Sequence, residues 1–159
     1  MKGILDENQM EELLRDQFIG RIGCHAKGKT YVVPINYCYD GEYIYCHTHE
    51  GLKIDIMREN PKICFETDKM ENTETWKSVI AWGEYEELTD KEDRRRAFQL
   101  LLSRPYPFLI SNALKTALGQ HYPFLPDNLG AIRGVVFRIK LAEKNGRCDK
   151  YGAAKEVTI

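Results

Sequence analysis

Several sequence features that identify a class of protein directly are missing from this chain. Lysine and arginine number 23 and aspartate and glutamate 24, so the net charge is −1, without the basic surplus that nucleic-acid-binding proteins usually carry. No apolar run approaches the roughly 20 residues that a helix needs to cross a bilayer. The first residues turn acidic where a signal peptide would need its apolar stretch. We therefore expect a cytoplasmic protein with neither nucleic-acid nor membrane partners.

Cysteine is present in the wrong number and spacing for a disulfide framework. The chain has five cysteines and no C-x-x-C pair, so reduced thiols packed in the interior are the expectation. A zinc site is not expected either, because the pair His47 and His49 has no cysteine or third histidine in register. The sequence therefore predicts no bound metal.

Three common nucleotide-binding and catalytic motifs are also absent. The chain contains no G-x-G-x-x-G fingerprint, no Walker loop and no serine nucleophile elbow. Rossmann-type dinucleotide binding, P-loop chemistry and serine-elbow hydrolysis are therefore unsupported. The arginine run 94–96 lies among acidic residues of a predicted helix, which is typical of a solvated face.

What the chain does contain is a series of strand-like segments. Its 159 residues suit one domain, and 43% of them are hydrophobic, enough to bury a core. β-Branched and aromatic residues concentrate between turn residues, the pattern of antiparallel strands joined by hairpins. We predict a single α+β domain over 1–159, mainly β, built as an antiparallel barrel with peripheral helices. The predicted strands are 18–24, 30–39, 42–47, 62–67, 76–88 and 132–140, and the predicted helices are one capped by Asp6 or Asn8, then 51–59, 89–102 and 111–118.

Three positions predict turns or irregular backbone. Pro34 cannot donate to a ladder, so it indicates an edge, a bulge, or backbone that faces something other than a strand. The dipeptide Asp40-Gly41 between two strand-like runs is a hairpin signal, because both residues tolerate positive φ. Gly83 indicates a bulge or a close approach of backbone.

Three segments depart from the strand pattern. Residues 68–75 are polar and are expected to form a loop. Thr89 and Glu92 have the spacing of a capping box at a helix start. Residues 103–128 hold four of the six prolines and are expected on the substrate side, with a short helix over 111–118.

The segment from His47 to Lys53 joins a predicted strand to a predicted helix. A helix start presents unpaired N–H groups and a partial positive charge, which together attract anions. Thr48 offers a hydroxyl, Gly51 permits close approach of a ligand, and Lys53 adds a full charge. The segment therefore predicts a phosphate site. The alternative is that Thr48 only caps the helix and Lys53 points into water.

The order and spacing of these segments resemble the pyridoxamine 5′-phosphate oxidase-like, FMN-binding split-barrel family, and especially its nitroimidazole-resistance (Nim-type) branch. The matching stretches are GRIG at 20–23, YVVPINY at 31–37, IYCHTHEGLK at 44–53, NPKICFE at 60–66 and WKSVI at 76–80. The oxidase that names the family has a serine-arginine-lysine run where this chain has Gly51, Leu52 and Lys53. Because the arginine is missing, the resemblance favours the Nim-type branch over a pyridoxamine phosphate oxidase.

The resemblance implies a six-stranded split barrel that works as a homodimer, with two flavin sites at the subunit interface. The backbone of 33–36 would lie along the isoalloxazine ring, and the helix start would hold the phosphate. Trp76 and Ser78 would approach the ring or the interface, from either subunit, with ordinary packing as the alternative for Trp76. The residues implied to bind the cofactor are Val33, Pro34, Ile35, Asn36, His47, Thr48, Gly51, Lys53, Trp76 and Ser78.

His47 is the candidate catalytic residue, since it ends a strand beside the implied flavin. A neutral imidazole could donate a hydrogen bond, and a protonated one could donate a proton. The alternative is a half-buried histidine satisfied by backbone.

The function implied is an FMN-dependent oxidoreductase that passes electrons from a nicotinamide donor to a small acceptor, such as a nitroimidazole-type nitroaromatic compound. The alternatives are a non-catalytic flavin-binding protein for storage or redox sensing, and a barrel that holds haem or a deazaflavin. The sequence does not distinguish FMN from FAD.

Overall fold

Eight strands and four α-helices are found in residues 2–104 and 110–149, the part of the chain that the computed structural model describes. The strands are β1 (Lys2–Ile4), β2 (Ile19–Ala26), β3 (Lys29–Asn36), β4 (Cys38–Tyr39), β5 (Tyr43–Thr48), β6 (Lys62–Asn72), β7 (Thr75–Glu87) and β8 (Val135–Asp149). The helices are α1 (Glu7–Asp16), α2 (Leu52–Glu59), α3 (Lys91–Leu102) and α4 (Asn112–Leu118). None of these helices is long and apolar enough to span a membrane.

The strands form one antiparallel sheet with the order β3-β2-β6-β7-β8-β5-β4, and β1 pairs with β8. β3 pairs with β2 and β4 pairs with β5, so the sheet curls round without closing. The predicted α+β split-barrel architecture is confirmed, and the expected number of six strands is wrong. The additional strands are β1, which precedes α1, and β4, which is the separated end of the predicted strand 30–39.

Tyr37 divides that predicted strand in two. Its N–H donates to the carbonyl of Phe18, and its hydroxyl donates to the carbonyl of Leu14. The chain therefore leaves β2 at this residue and joins β5. Pro34 pairs with Arg21 of β2 and lies on the edge strand of the sheet, which is the edge position that its missing N–H predicted.

The polar segment 68–75 is not a loop. β6 continues to Asn72 and β7 begins at Thr75, with a register shift between Met70 and Asn72. This hairpin is polar because its end is exposed, so the alternation that identifies a half-buried strand is absent. β8 likewise runs over Val135–Asp149 and not over 132–140, because its second half pairs with β7 and β1.

Local sequence patterns predicted most of the turns and helix caps correctly. Asp6 caps α1 in a capping box with Gln9. The Asp40-Gly41 hairpin is present, with the Asp40 carboxylate accepting from the N–H groups of Glu42 and Tyr43. The bulge at Gly83 is also present, as a register shift in the pairing of β7 with β8.

The starts of α3 and α4 are also capped by side chains. Ser111 caps α4, as the predicted helix 111–118 requires. Asp90, and not Thr89, caps α3 by accepting from the N–H groups of Glu92 and Asp93.

Two apolar clusters stabilise the fold. The first fills the barrel and includes Ile22, Phe65 and Phe137. The second packs α3 and α4 against β5 and β8 and includes Tyr45 and Phe98. All five cysteines are free thiols, three of them buried and two partly buried. β5 therefore lies between the two clusters, with Ile44 and Cys46 in the first and Tyr45 in the second.

Candidate functional site

The barrel opens between β3 and β5. Cys38 of β4 pairs with Tyr45 of β5, and continuing this register would place Asn36 opposite His47. β3 has already turned to pair with β2 there, so the two strands diverge. Asn36 and His47 both line a small cavity at the point of divergence. The segment 33–36 consequently belongs to the end strand of the sheet, which pairs with β2 on one side only within the described residues.

The β5–α2 connection follows on the other side of this opening. Gly51 is the N-cap of α2, and no side chain caps the helix. The alternative in which Thr48 caps the helix is therefore wrong. A Cβ added to Gly51 would meet nothing within 4 Å, so a ligand can approach the backbone here. An uncapped helix start beside open space is suited to an anion.

Lys53 stands in the first turn of α2 and is partly buried. Its side-chain ammonium makes no ion pair or hydrogen bond with any other described residue. Partial burial lowers the pKa of Lys53, and the nearby thiols of Cys46 and Cys24 act weakly in the opposite direction. Burial of an unpaired cation is unfavourable, so an anion at this place would stabilise the Lys53 ammonium. A phosphate would supply the missing anion, so the residues present fit the phosphate group of a flavin nucleotide.

Arg58 holds the turn that precedes α2. Its guanidinium donates two hydrogen bonds to Glu50, each 2.9 Å, and two to Glu87 of β7, each 2.8 Å. Glu50 is the residue before Gly51, so the position of the helix start is tied to β7. This connection also neutralises a carboxylate that would otherwise repel a phosphate nearby.

His47 is almost completely buried, with 4% of its surface exposed. Its Nε2 lies 2.7 Å from the carbonyl oxygen of Arg133, and its ring packs against Phe98 of α3 and His49. Burial lowers the pKa of His47. Since a carbonyl only accepts, the single N–H of the neutral ring is Nε2–H, and it is already engaged.

Gly134 allows this packing at the start of β8. Its φ is +102°, and a Cβ would lie 2.6 Å from the carbonyl oxygen of Thr48 and 2.8 Å from His47 Nε2. Thr48 itself is buried and pairs with Val135. The end of β5 is therefore held closely against β8.

Trp76 and Ser78 are not brought to the opening within one protomer. Ser78 lies on β7, three strand spacings or about 14 Å from β3, and its hydroxyl donates to Glu66 at 3.0 Å. Trp76 lies near the β6–β7 hairpin, in a groove with Ile4 and Arg147. Any contact of these two residues with a ligand in the opening would have to come from a second copy of the chain.

Both side chains belong to the outer face of the sheet, opposite the barrel core. On this face Val32, Gly23, Cys64 and Trp82 form one row across four strands. Val32 is 64% exposed and Trp82 42% exposed, and a groove of about 480 Å³ lies along the row. The outer face is therefore more apolar than a solvated surface requires.

Comparison with known proteins assigns the family. Residues 6–147 match the sequence profile of the family described as pyridoxamine 5′-phosphate oxidase. An uncharacterised protein of Rhizobium meliloti (strain 1021) is 35% identical over 133 residues, which is 81% of this chain and 83% of that protein. The chain belongs to the pyridoxamine 5′-phosphate oxidase family.

Solved structures of similar fold agree with this assignment. A FAD-binding protein of Mesorhizobium loti superposes with a TM-score of 0.71 and 28% identity, covering 94% of this chain and 99% of that one. A candidate 5-nitroimidazole antibiotic resistance protein of Bacteroides thetaiotaomicron superposes with a TM-score of 0.69 and 19% identity, covering 93% and 87%. The second likeness shows a shared fold. The resemblance inferred from the sequence motifs is therefore confirmed for the pyridoxamine 5′-phosphate oxidase family.

Three residues of this family member escaped sequence reasoning. Arg58 pairs with Glu87, and Gly134 packs against Thr48 and His47. Arg104 donates to the carbonyl oxygens of Arg15, Gln17 and Tyr37. These partners lie elsewhere in the chain, so no local pattern marks the three residues. Gly134 has a positive φ directly before β8. In the sequence, the only sign of this is a glycine after Arg133, which is a weak signal. Within residues 2–104 and 110–149, no group of three or more His, Cys, Asp or Glu side chains is arranged to hold a metal ion.

Proposed function

We propose that the protein binds FMN in the opening between β3 and β5, with the phosphate at the start of α2. The observation that carries this proposal is the partly buried, unpaired Lys53 beside the uncapped turn at Gly51. An anion there gains both the lysine charge and the first-turn N–H groups. Membership of the pyridoxamine 5′-phosphate oxidase family and the FAD-binding relative support a flavin as the source of that phosphate.

The isoalloxazine ring would lie along the free edge of β3. β3 is the end strand of the described sheet and pairs there with β2 on one side only, and its Pro34 has no N–H to satisfy. A ring with alternating donors and acceptors would engage such an edge. The bound flavin supplies hydride acceptance and electron transfer, and the protein positions it and excludes water.

For activity we propose an oxidoreductase that takes electrons from a nicotinamide donor and reduces nitroaromatic compounds. The Nim-type sequence motifs support this substrate class, and the fold shared with the Bacteroides protein is compatible with it. The test is stopped-flow reoxidation of the reduced holoprotein. Faster reoxidation by a nitroimidazole than by oxygen alone is expected, and equal rates would contradict it.

A non-catalytic flavin-binding protein is the second candidate. The observation that favours it is His47, whose only N–H in the neutral form is engaged by the carbonyl of Arg133 and whose pKa is lowered by burial. His47 is therefore poorly placed as a proton donor, and its catalytic role stays a prediction. A holoprotein that no nitro compound or quinone reoxidises faster than oxygen does would establish this second candidate.

The absorption spectrum of the freshly purified protein tests the proposed cofactor. Flavin bands are expected, and mass spectrometry of the released chromophore should give FMN. A colourless protein that takes up no added FMN, or a haem or deazaflavin spectrum, would contradict the proposal.

We further propose that two copies associate through the outer face. Ile19, Val32, Ile80 and Trp82 expose between 38% and 64% of their surface, and large apolar patches of this kind favour association. Association of the outer faces would also allow Trp76 and Ser78 of one copy to contact the flavin of the other copy, as the family resemblance implies. A monomer at micromolar concentration would contradict this assembly.

A further inference from the structure

Two side-chain atoms in the described chain are buried without a hydrogen-bond partner. They are Nδ1 of His47 and Nε of Arg104. Both residues line the same cavity of about 10 Å³, together with Asn36 and Ser111. Because buried polar groups are nearly always satisfied, two such atoms at one cavity call for a common explanation.

The chemistry of each group determines whether the atom donates or accepts a hydrogen bond. A guanidinium has donors only, so Arg104 Nε–H needs an acceptor. His47 donates through Nε2 to the carbonyl of Arg133 at 2.7 Å, so Nδ1 of the neutral ring carries a lone pair and needs a donor. One residue that lines the cavity therefore has an unsatisfied donor and another has an unsatisfied acceptor.

We propose that this cavity is a binding site for one water molecule, which accepts from Arg104 Nε–H and donates to His47 Nδ1. A cavity of about 10 Å³ holds about one water, and a buried water needs two to four polar partners. Arg104 and His47 supply two of these partners. The hydroxyl of Ser111, which accepts from the N–H of Leu114, and the side chain of Asn36 also border the space.

The guanidinium of Arg104 is held in position by three other hydrogen bonds. Its two terminal nitrogens donate to the carbonyl oxygens of Arg15, Gln17 and Tyr37, at 3.2, 2.6 and 3.1 Å. Only Nε remains without a partner, on a residue that lines the cavity. Arg104 is therefore a positioning residue that acts on His47 through the water.

The water site would keep His47 neutral and make its Nδ1 an acceptor. A donor to Nδ1 stabilises the neutral ring. The charged and titratable groups that act on the ring from neighbouring elements are Arg94 of α3 and His49, and both oppose its protonation. His47 is thus part of the scaffold that joins β5, β8 and the α3–α4 layer, whether or not a flavin is bound.

The direct test is a high-resolution crystal structure of the wild-type chain. One ordered water within hydrogen-bond distance of Arg104 Nε and His47 Nδ1 is expected. An empty cavity, or a direct contact between the two atoms, would overturn the proposal. This measurement does not depend on any variant folding or on flavin binding.

The positioning role is tested by nitrogen NMR of the His47 ring in Arg104→Lys, which keeps the charge and removes Nε–H. Loss of one hydrogen bond to the neutral ring should increase its protonated-to-neutral ratio about three- to tenfold at a given pH and move the Nδ1 signal toward that of an unbonded nitrogen. Arg133→Lys is the matched control, since it leaves the Arg133 carbonyl in place and should change neither. Identical spectra for wild type and Arg104→Lys would contradict the role of Arg104.

Discussion

Lys53 holds a positive charge in a partly buried place where no described residue pairs with it. Its lowered pKa means that the folded protein binds the lysine proton less tightly than the unfolded chain does. This penalty on folding is therefore present at neutral pH and disappears only as the pH rises through the ordinary lysine value of 10.5. A residue that destabilises the flavin-free protein is expected at a site that serves binding.

Replacing Lys53 by methionine should separate stability from binding. Lys53→Met keeps the aliphatic stem and removes the charge, so the flavin-free protein should melt about 1–4 °C higher while FMN affinity falls about 10- to 100-fold. Differential scanning fluorimetry and equilibrium titration measure the two effects. Lys91→Met, on the exposed first turn of α3, is the control and should change neither. Unchanged FMN affinity in Lys53→Met would mean that the phosphate lies elsewhere.

Gly134 is the residue on which the contact between β5 and β8 depends most. Gly134→Ala should destabilise the protein by about 2–4 kcal/mol, because a Cβ at this positive φ also collides with Thr48 and His47. Gly28→Ala is the matched control, since Gly28 has φ +73° with nothing within 4 Å, and should lose only about 1 kcal/mol. Urea unfolding measures both. Equal losses would show that the collision is relieved by movement of β8.

At the scale of elements, the start of α2 is fixed from outside the helix. Most helix starts are held by a capping side chain, but Gly51 offers none, and Arg58 instead fastens Glu50 to Glu87 of β7. The turn can therefore remain open to a ligand while its position stays defined. The helix start and β7 then behave as one rigid element.

Arg58→Ala should release this turn without unfolding the helix. Backbone amides of residues 49–54 should exchange at least about threefold faster in hydrogen-exchange mass spectrometry, because local opening becomes easier. Arg138→Ala is the control, since Arg138 makes a comparable surface pair with Glu86, and it should leave those amides unchanged. Equal exchange in Arg58→Ala and wild type would show that the ion pairs do not hold the turn.

Sequence reasoning was most successful where the signal lies within a few residues. The Asp40-Gly41 hairpin, the bulge at Gly83 and the helix 111–118 were all predicted from local chemistry. The prediction that 68–75 is a loop was wrong, because an exposed hairpin carries no alternation. The alternative of a half-buried His47 satisfied by backbone agrees with its contact to the Arg133 carbonyl, but that partner was not predictable because it is 86 residues away. Pro105 and Pro107, in the segment expected on the substrate side, lie outside the described residues.

At the scale of the whole molecule, the proposed assembly depends on the outer face of the sheet. It joins an apolar row that contains Val32 and Trp82 to a polar network in which Arg21 pairs with Glu66 and Asp68. Such a mixture of apolar surface and fixed charges suits a specific contact better than a solvated surface. A two-fold contact would use the same patch on both copies.

Trp82→Asp should break this assembly. The wild type is expected to sediment as a dimer of 18.5 kDa chains, and the variant as a folded monomer, because burial of a carboxylate in an apolar contact is unfavourable. Phe124→Asp is the control, since Phe124 is 77% exposed and does not lie on the sheet. Analytical ultracentrifugation decides, and a dimeric Trp82→Asp variant would place the contact on another face.

The central claim is that the start of α2 holds the phosphate of a flavin nucleotide. The most direct test is equilibrium titration of the flavin-free protein with FMN and with riboflavin, which differ only in that phosphate. FMN should bind at least about tenfold more tightly than riboflavin, because charge-assisted hydrogen bonds to Lys53 and the first-turn N–H groups are lost without the phosphate. Equal affinity for the two, or no binding of FMN, would contradict the account.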